Sequence, residues 1–327
     1  MDLATFLQID LPAMLVGTLA ALCCALPGNF LLLRRQALMG DALSHVVLPG
    51  IVIGFLVTGS QRSDAMLVGA GVAALLSVGL IEIVRRLGRV ESGAAMGIVF
   101  ATMFALGLLL LEQSGARAVH IDVQHALYGN IEGTVWLGAT GWGSLVDPGI
   151  LADIPPTIPR LAGILVIIAL VMILLFKELR LCTFDPALAS SLGFRPGLVS
   201  VVLLGLVAIA AVAAFDAVGS VLVVAMFVCP PATARMLTDR LRPQVWISLA
   251  VAAVSALLGY GVAAAAPSLF GVPSALSAAG MIVVVAGLLQ AVAMIFAPRH
   301  GVVGRFLARR RVARDMSSLP PGPSAAV

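Results

Sequence analysis

Charge is what this sequence has least of. Only 11% of its 327 residues are Asp, Glu, Lys or Arg, about half the share of an ordinary soluble domain. Aromatics are also scarce at 6%, so Ala, Val, Leu and Gly do most of the filling, as where helices pack closely in lipid. With 61% hydrophobic residues and a mean hydropathy of +1.10, the class is an all-α polytopic membrane protein. The net charge of +4 is small and gives no footing for nucleic acid. No G-x-x-x-x-G-K-[ST] occurs, so nucleotide phosphates are not cradled by that route, and energy must come from a partner or an ion gradient. Cys23, Cys24, Cys182 and Cys229 have no zinc-ligand spacing and read as small apolar filler. No basic residue precedes the first apolar run in "MDLATFLQID", so a cleaved signal peptide is not expected.

What the chain does have is long apolar runs. A hydrocarbon core of about 30 Å needs about 20 apolar helical residues. Nine runs qualify, at about 11–33, 38–58, 65–84, 93–111, 160–176, 198–215, 217–237, 245–266 and 274–296, giving eight to nine transmembrane helices. Only Asp216 separates the sixth and seventh, so one of them is expected to be tilted or broken, with Asp216 in a tight outer turn. Basic clusters fall at alternate connections: Arg34/Arg35, Arg85/Arg86/Arg89, Lys177/Arg180/Arg195, Arg235/Arg240/Arg242 and the tail from Arg299 to Arg314. Loop acids (Asp64, Asp122, Glu132, Asp147, Asp153) fall at the others. The positive-inside rule then puts the N-terminus outside and the C-terminus in the cytoplasm. In the long outer connection, 112–159, Trp136 and Trp142 suit a membrane interface, and "HALYGNIEGTVWLGA" suits a re-entrant segment buried by protein. The domain organisation is a transmembrane domain over 1–297 and a basic, partly disordered tail over 298–327. That tail, "RHGVVGRFLARRRVARD", would attract anionic membrane lipid.

Ionisable groups inside such runs are costly and functional by default. Asp41 and His45 stand at i and i+4, stacked on one helix face, with Ser44 beside them. Gly40, Ala42 and Ser44 keep the surroundings small. Pro49 has no N–H, so the carbonyl of His45 loses its helical partner and needs protein, water or an ion instead. A carboxylate, an imidazole and a freed carbonyl suit a divalent cation such as manganese, iron or zinc. The competing reading is a snorkelling aspartate near Arg35 and a core histidine bonded to a neighbouring helix.

Other features carry less. Pro230 and Pro231 lie deep in the seventh run, free the carbonyls of Met226 and Phe227, and are expected to bend or break that helix. Broken helices often line transport paths, which makes Ser44, Pro49, Cys229, Pro230 and Pro231 candidate pathway or gate residues. In "HIDVQH", His120, Asp122 and His125 form an outer capture site or simply a polar loop. Glu82 is placed to pair with Arg85/Arg86. In "TFDPALASSLGFRP", Asp185 can cap a short helix starting at Pro186, and Gly193 can end it. On these residues alone such a helix is an ordinary inner connector.

"LLLRRQALMGDALSHVVLPGIVIGF" resembles the signature of the permease subunit of bacterial ABC importers for manganese, zinc and iron. The resemblance continues through "HALYGNI", "FKELRLCTFDPALASSLGF" and "AVGSVLVVAMFVCPPATARMLTDRL", over about residues 11–297. It implies a type II-like importer permease in the bacterial inner membrane. The implied partners are a second permease copy or relative, a cytoplasmic ABC ATPase dimer and an extracytoplasmic metal-binding protein. It implies that Asp41 and His45 take part in metal passage. The segment at about 183–196, with Phe184, Asp185, Pro186, Ala189 and Gly193, becomes the ATPase-coupling helix. Related permeases generally carry an apolar residue where Cys229 stands. The implied cargo is Mn2+, Fe2+ or Zn2+, with no permanently bound cofactor and no enzymatic chemistry of its own. Two facing subunits could bring together two Asp and two His. The alternatives are a gradient-driven secondary metal carrier and a polytopic membrane enzyme, and the latter needs further ligands or a nucleophile that are not visible.

Overall fold

The computed structural model describes residues 5–37, 39–58, 63–113, 131–139, 141–145, 147–151, 153–270, 276–297 and 301. Within them every long apolar run is a helix, because only helices and closed barrels satisfy backbone polar groups in lipid. A π-helical turn, Phe6–Asp10, leads into α1 (Leu11–Leu33), followed by α2 (Met39–Thr58), α3 (Ser63–Gly88) and α4 (Ser92–Gln113). After the outer connection come α5 (Thr157–Leu174), α6 (Phe176–Phe184) and α7 (Pro186–Ser191). The chain ends in α8 (Pro196–Val218), α9 (Ser220–Leu237), α10 (Leu241–Phe270) and α11 (Ala278–Phe296). Eight of these contain a described apolar stretch long enough to cross a bilayer. The ninth, α2, is a 20-residue helix and completes the set read from the sequence. The described residues include no strand.

α1 and α8 are the innermost spans, 61% and 67% buried, whereas α4 and α5 are 22% and 17% buried. α1 packs on α5, α8, α9 and α10, and α2 packs chiefly on α3 and α4 while touching α8 and α9. The core between them is built from small residues and a few large ones, among them Phe30, Leu203 and Phe227, all close to fully buried. Such a surface lets helix backbones approach where no hydrophobic gain drives them together.

Three local expectations are corrected. The break between the sixth and seventh spans is at Gly219, whose φ of +79° favours glycine. Asp216 lies in the last helical turn of α8, and its Oδ2 is 3.4 Å from Arg160 Nη1. α9 runs through Pro230 and Pro231 as one helix. Trp136 is enclosed by protein: it is 3% exposed, and its indole N–H donates to the Ile150 carbonyl at 3.2 Å. Its backbone N–H donates to Gln8 O at 2.8 Å, so Leu7, Trp136 and Ala139 form a small separate core. Of the expected re-entrant stretch, 131–139 forms turns rather than helix, and 125–130 lies outside the described residues.

Candidate functional site

The site is built on α2. Its helix carries Asp41 and His45 one turn apart and Pro49 one turn further on. The side chains of Asp41, Ser44 and His45 lie outside the described residues, whereas Met39, Ala42, Val46, Pro49 and Gly50 are described and buried. Two glycine contacts fix this helix. At Gly40, a Cβ would meet the Phe227 ring of α9 at 2.7 Å. At Gly50, it would fall on the Gly69 carbonyl of α3 and lie 2.6 Å from Ala73 Cβ. Asp41, His45 and Pro49 therefore occupy the interval between two close helix crossings.

Phe227 extends this arrangement to α1. Its carbonyl is one of the two freed by the prolines of α9, and a Cβ at Gly28 would stand 2.5 Å from that oxygen. The α1 backbone thus covers the freed carbonyl, and Gly28, Phe227 and Gly40 form a stack from α1 through α9 to α2. Cys229 is half-buried and unpaired, and its carbonyl accepts from Thr233 Oγ1 at 2.8 Å.

At the end of the bundle that carries Arg34 and Lys177, Asp185 caps α7: Leu188 N donates to Asp185 Oδ1 at 2.9 Å. Pro186 takes the first position, and Gly193, at φ +84°, closes the helix. Gly193 N donates to Ser190 O at 3.1 Å and Phe194 N to Ala189 O at 3.0 Å, which satisfies the last carbonyls. Ala189 is fully buried beneath the helix, while Phe184, Leu188 and Leu192 are exposed at four-residue spacing. Arg34 joins this end to the α1–α2 turn, donating from Nε to Thr183 Oγ1 at 3.0 Å and from Nη1 to Ser200 Oγ at 3.1 Å. Burial lowers its pKa from the ordinary arginine value. Glu82 accepts from Arg85 at 2.8 Å and from Arg86 at 2.6 Å, as its spacing suggests.

The model of the ABC 3 transport family matches residues 7–135 and 156–297. The chain belongs to that family. This ABC 3 permease is 38% identical over 291 residues to the manganese transport system membrane protein MntD of Bacillus subtilis, covering 89% of this chain and 93% of that one. It is 36% identical to the zinc transport system membrane protein TroD of Treponema pallidum, covering 94% and 79%. In structure it is similar to PsaBC from Streptococcus pneumoniae in complex with Fab, with a TM-score of 0.67 and 26% identity over 92% of this chain and 94% of that one. It is a multi-pass, non-enzymatic permease of the bacterial inner membrane.

The ABC 3 permease thus places Asp41, His45 and Pro49 on one helix and assembles Asp185, Pro186, Ala189 and Gly193 into one capped turn of structure. His120, Asp122 and His125 lie outside the described residues. Among the described residues there is no group of three or more His, Cys, Asp or Glu side chains placed to hold a metal, and none of the chain's four histidines has a described side chain. Three contacts had no sequence signal. Asp10 Oδ1 accepts from Tyr260 OH at 2.9 Å, both buried. Glu132 Oε1 accepts from Ala278 N at 2.8 Å, which ties the outer connection to the first turn of α11. Gln244 Nε2 donates to Asn29 Oδ1 at 3.3 Å within the bundle. Each joins residues more than a hundred positions apart, and spacing rules cannot see that.

Proposed function

We propose that this permease is the membrane-spanning subunit of an ATP-driven importer for a divalent transition metal, Mn2+, Fe2+ or Zn2+. The observation that carries this reading is the position of Asp41 and His45. They lie a turn apart on a helix inside an apolar bundle, in a chain 38% identical to a manganese transport membrane protein. Ionisable residues within a membrane-spanning helix are kept for a task, and a carboxylate with an imidazole binds first-row divalent ions. Two copies, or this chain and a related permease, face each other, so that two Asp and two His form a transient N/O site. Pro49 leaves the His45 carbonyl free to contribute. Alternating access moves the ion past this site.

α7 is the helix that engages the ATPase. A capped helix with exposed Leu188, flanked by exposed Phe184 and Leu192, has the form of an apolar knob for a protein groove. The basic clusters put this end in the cytoplasm and the N-terminus outside, where an extracytoplasmic protein delivers the metal. The test is uptake of radioactive Mn2+ and Zn2+ by the complex reconstituted with its ATPase, with and without ATP. Asp41→Asn and His45→Gln are expected to lower uptake at least tenfold while leaving assembly intact. Uptake that needs no ATP, or that survives both substitutions, refutes the proposal.

A further inference from the structure

An apolar groove and a basic pocket meet on the outer surface of the bundle. The groove, ≈ 510 Å³, runs between α1, α5 and α10 and is lined by Leu22, Leu26, Phe30, Ala169, Ile173 and Leu249. The pocket, ≈ 750 Å³, lies between α6 and the α9–α10 turn and is lined by Arg180, Arg240 and Arg242, with Phe184 at its edge. Arg242 lines both. Its guanidinium lies 6.0 Å above the Phe176 ring, and that ring packs edge-on against Phe30 at 6.2 Å. Arg180 follows Phe176 by one turn of α6, as Trp246 follows Arg242 on α10, so both helices present an apolar-to-basic boundary at the same level. Asp239, the one carboxylate among the described residues that line the pocket, is 3.9 Å from Arg235.

From Arg242 to Leu249 the groove extends about 10 Å along α10, most of the ~15 Å depth of a single leaflet's hydrocarbon. We propose that groove and pocket together bind one anionic phospholipid. One acyl chain lies along the groove, and the headgroup phosphate is held by Arg180, Arg240 and Arg242. Guanidinium forks match phosphate oxygens, and basic pockets between spans at the inner leaflet take such headgroups. Trp246, 74% exposed at the groove mouth, is the interfacial anchor. The proposal needs only that the bundle lies in a bilayer and is independent of which ion the permease carries.

Trp246 is also the reporter. The full chain is placed in phosphatidylcholine bilayers with increasing phosphatidylglycerol brominated on its acyl chains, and fluorescence quenching is read as wild type minus Trp246→Phe. That difference removes the contributions of Trp136 and Trp142. A basic group at the leaflet surface contributes about a fivefold preference for anionic lipid, so phosphatidylglycerol is expected to outcompete phosphatidylcholine by at least that factor. Arg240→Gln with Arg242→Gln brings the ratio near one, and the paired Lys variant retains much of it. Ala169→Leu fills the groove without touching the arginines, and lowers the ratio as well. A ratio near one in wild type, or one unchanged in the Gln and Leu variants, overturns the proposal. So does a ratio that collapses when the ATPase or a second permease copy is added, because the occupant is then a protein.

Discussion

Gly28→Ala perturbs the stack that joins α1, α9 and α2. The new methyl would stand 2.5 Å from the Phe227 carbonyl oxygen, 3.2 Å from its carbonyl carbon and 3.1 Å from Pro231 Cγ. An ordinary close C···O approach is about 3.3–3.6 Å, so α1 and α9 must separate by about 1 Å. Neither carbonyl atom can swing aside, because both belong to a helix backbone, and the proline ring is rigid. Overpacking of this kind costs about 1–3 kcal/mol, against about 1 kcal/mol gained by exchanging glycine for alanine within a helix. The net loss is therefore about 0–2 kcal/mol. Gly71→Ala is the matched control, since a Cβ there meets nothing within 4 Å and only the helix gain applies. Thermal unfolding of the purified chain in detergent is expected to place Gly28→Ala below wild type by up to about 8 °C, at about 2–4 °C per kcal/mol. Gly71→Ala is expected at or above wild type. If Gly28→Ala proves as stable as Gly71→Ala, the close approach of α1 to the proline-freed carbonyl is wrong.

Three further variants test other contacts. Tyr260→Phe removes the O–H that Asp10 accepts from at 2.9 Å and leaves a buried carboxylate short of a donor, which costs about 1–3 kcal/mol and is read as a lower unfolding midpoint. Asp185→Ala removes the cap on Leu188 N, worth about 1 kcal/mol, and is expected to weaken ATPase association in a pull-down while lowering the midpoint by only about 2–4 °C. Leu188→Gln with Leu192→Gln alters two exposed apolar side chains of that segment. It is expected to abolish ATPase association at unchanged stability, and retained association would show that α7 is not the contact.

The spans were legible because lipid makes helix mandatory for any long apolar run, and α1 to α5 and α8 to α11 lie where those runs lie. The capped helix was legible for a different reason: Asp185, Pro186 and Gly193 act on their own neighbours, so the chemistry is local. Where expectation failed, tertiary context decided. Asp216 looked like the break because it is the charged residue between two apolar runs. A charge at a helix end can instead point outward to Arg160, while Gly219 makes the turn with its positive φ. Pro230 and Pro231 read as a bend or a break because each removes a donor. The helix nevertheless continues, and the Phe227 carbonyl is covered by Gly28 from another helix. Trp136 looked interfacial by composition, but its N–H partner, Ile150, lies in the same outer connection and holds the ring inside.

The two glycine crossings bear on how α2 can act. Gly40 meets Phe227 above Asp41, and Gly50 meets Gly69 just past Pro49, so the segment with the ionisable pair is clamped at both ends. Packed contacts of this kind are not continuously deformable, and α2 can shift only together with α3 and α9. The turn before α2 is restrained too, because Arg34 bonds Thr183 in the last turn of α6 and Ser200 in the first of α8. Thr183 is two residues from Asp185, the cap of α7. In an importer driven through α7, a displacement there would reach the head of α2 through one guanidinium. Access to Asp41 and His45 then changes by rigid-body movement of helix groups, not by local bending at Pro49.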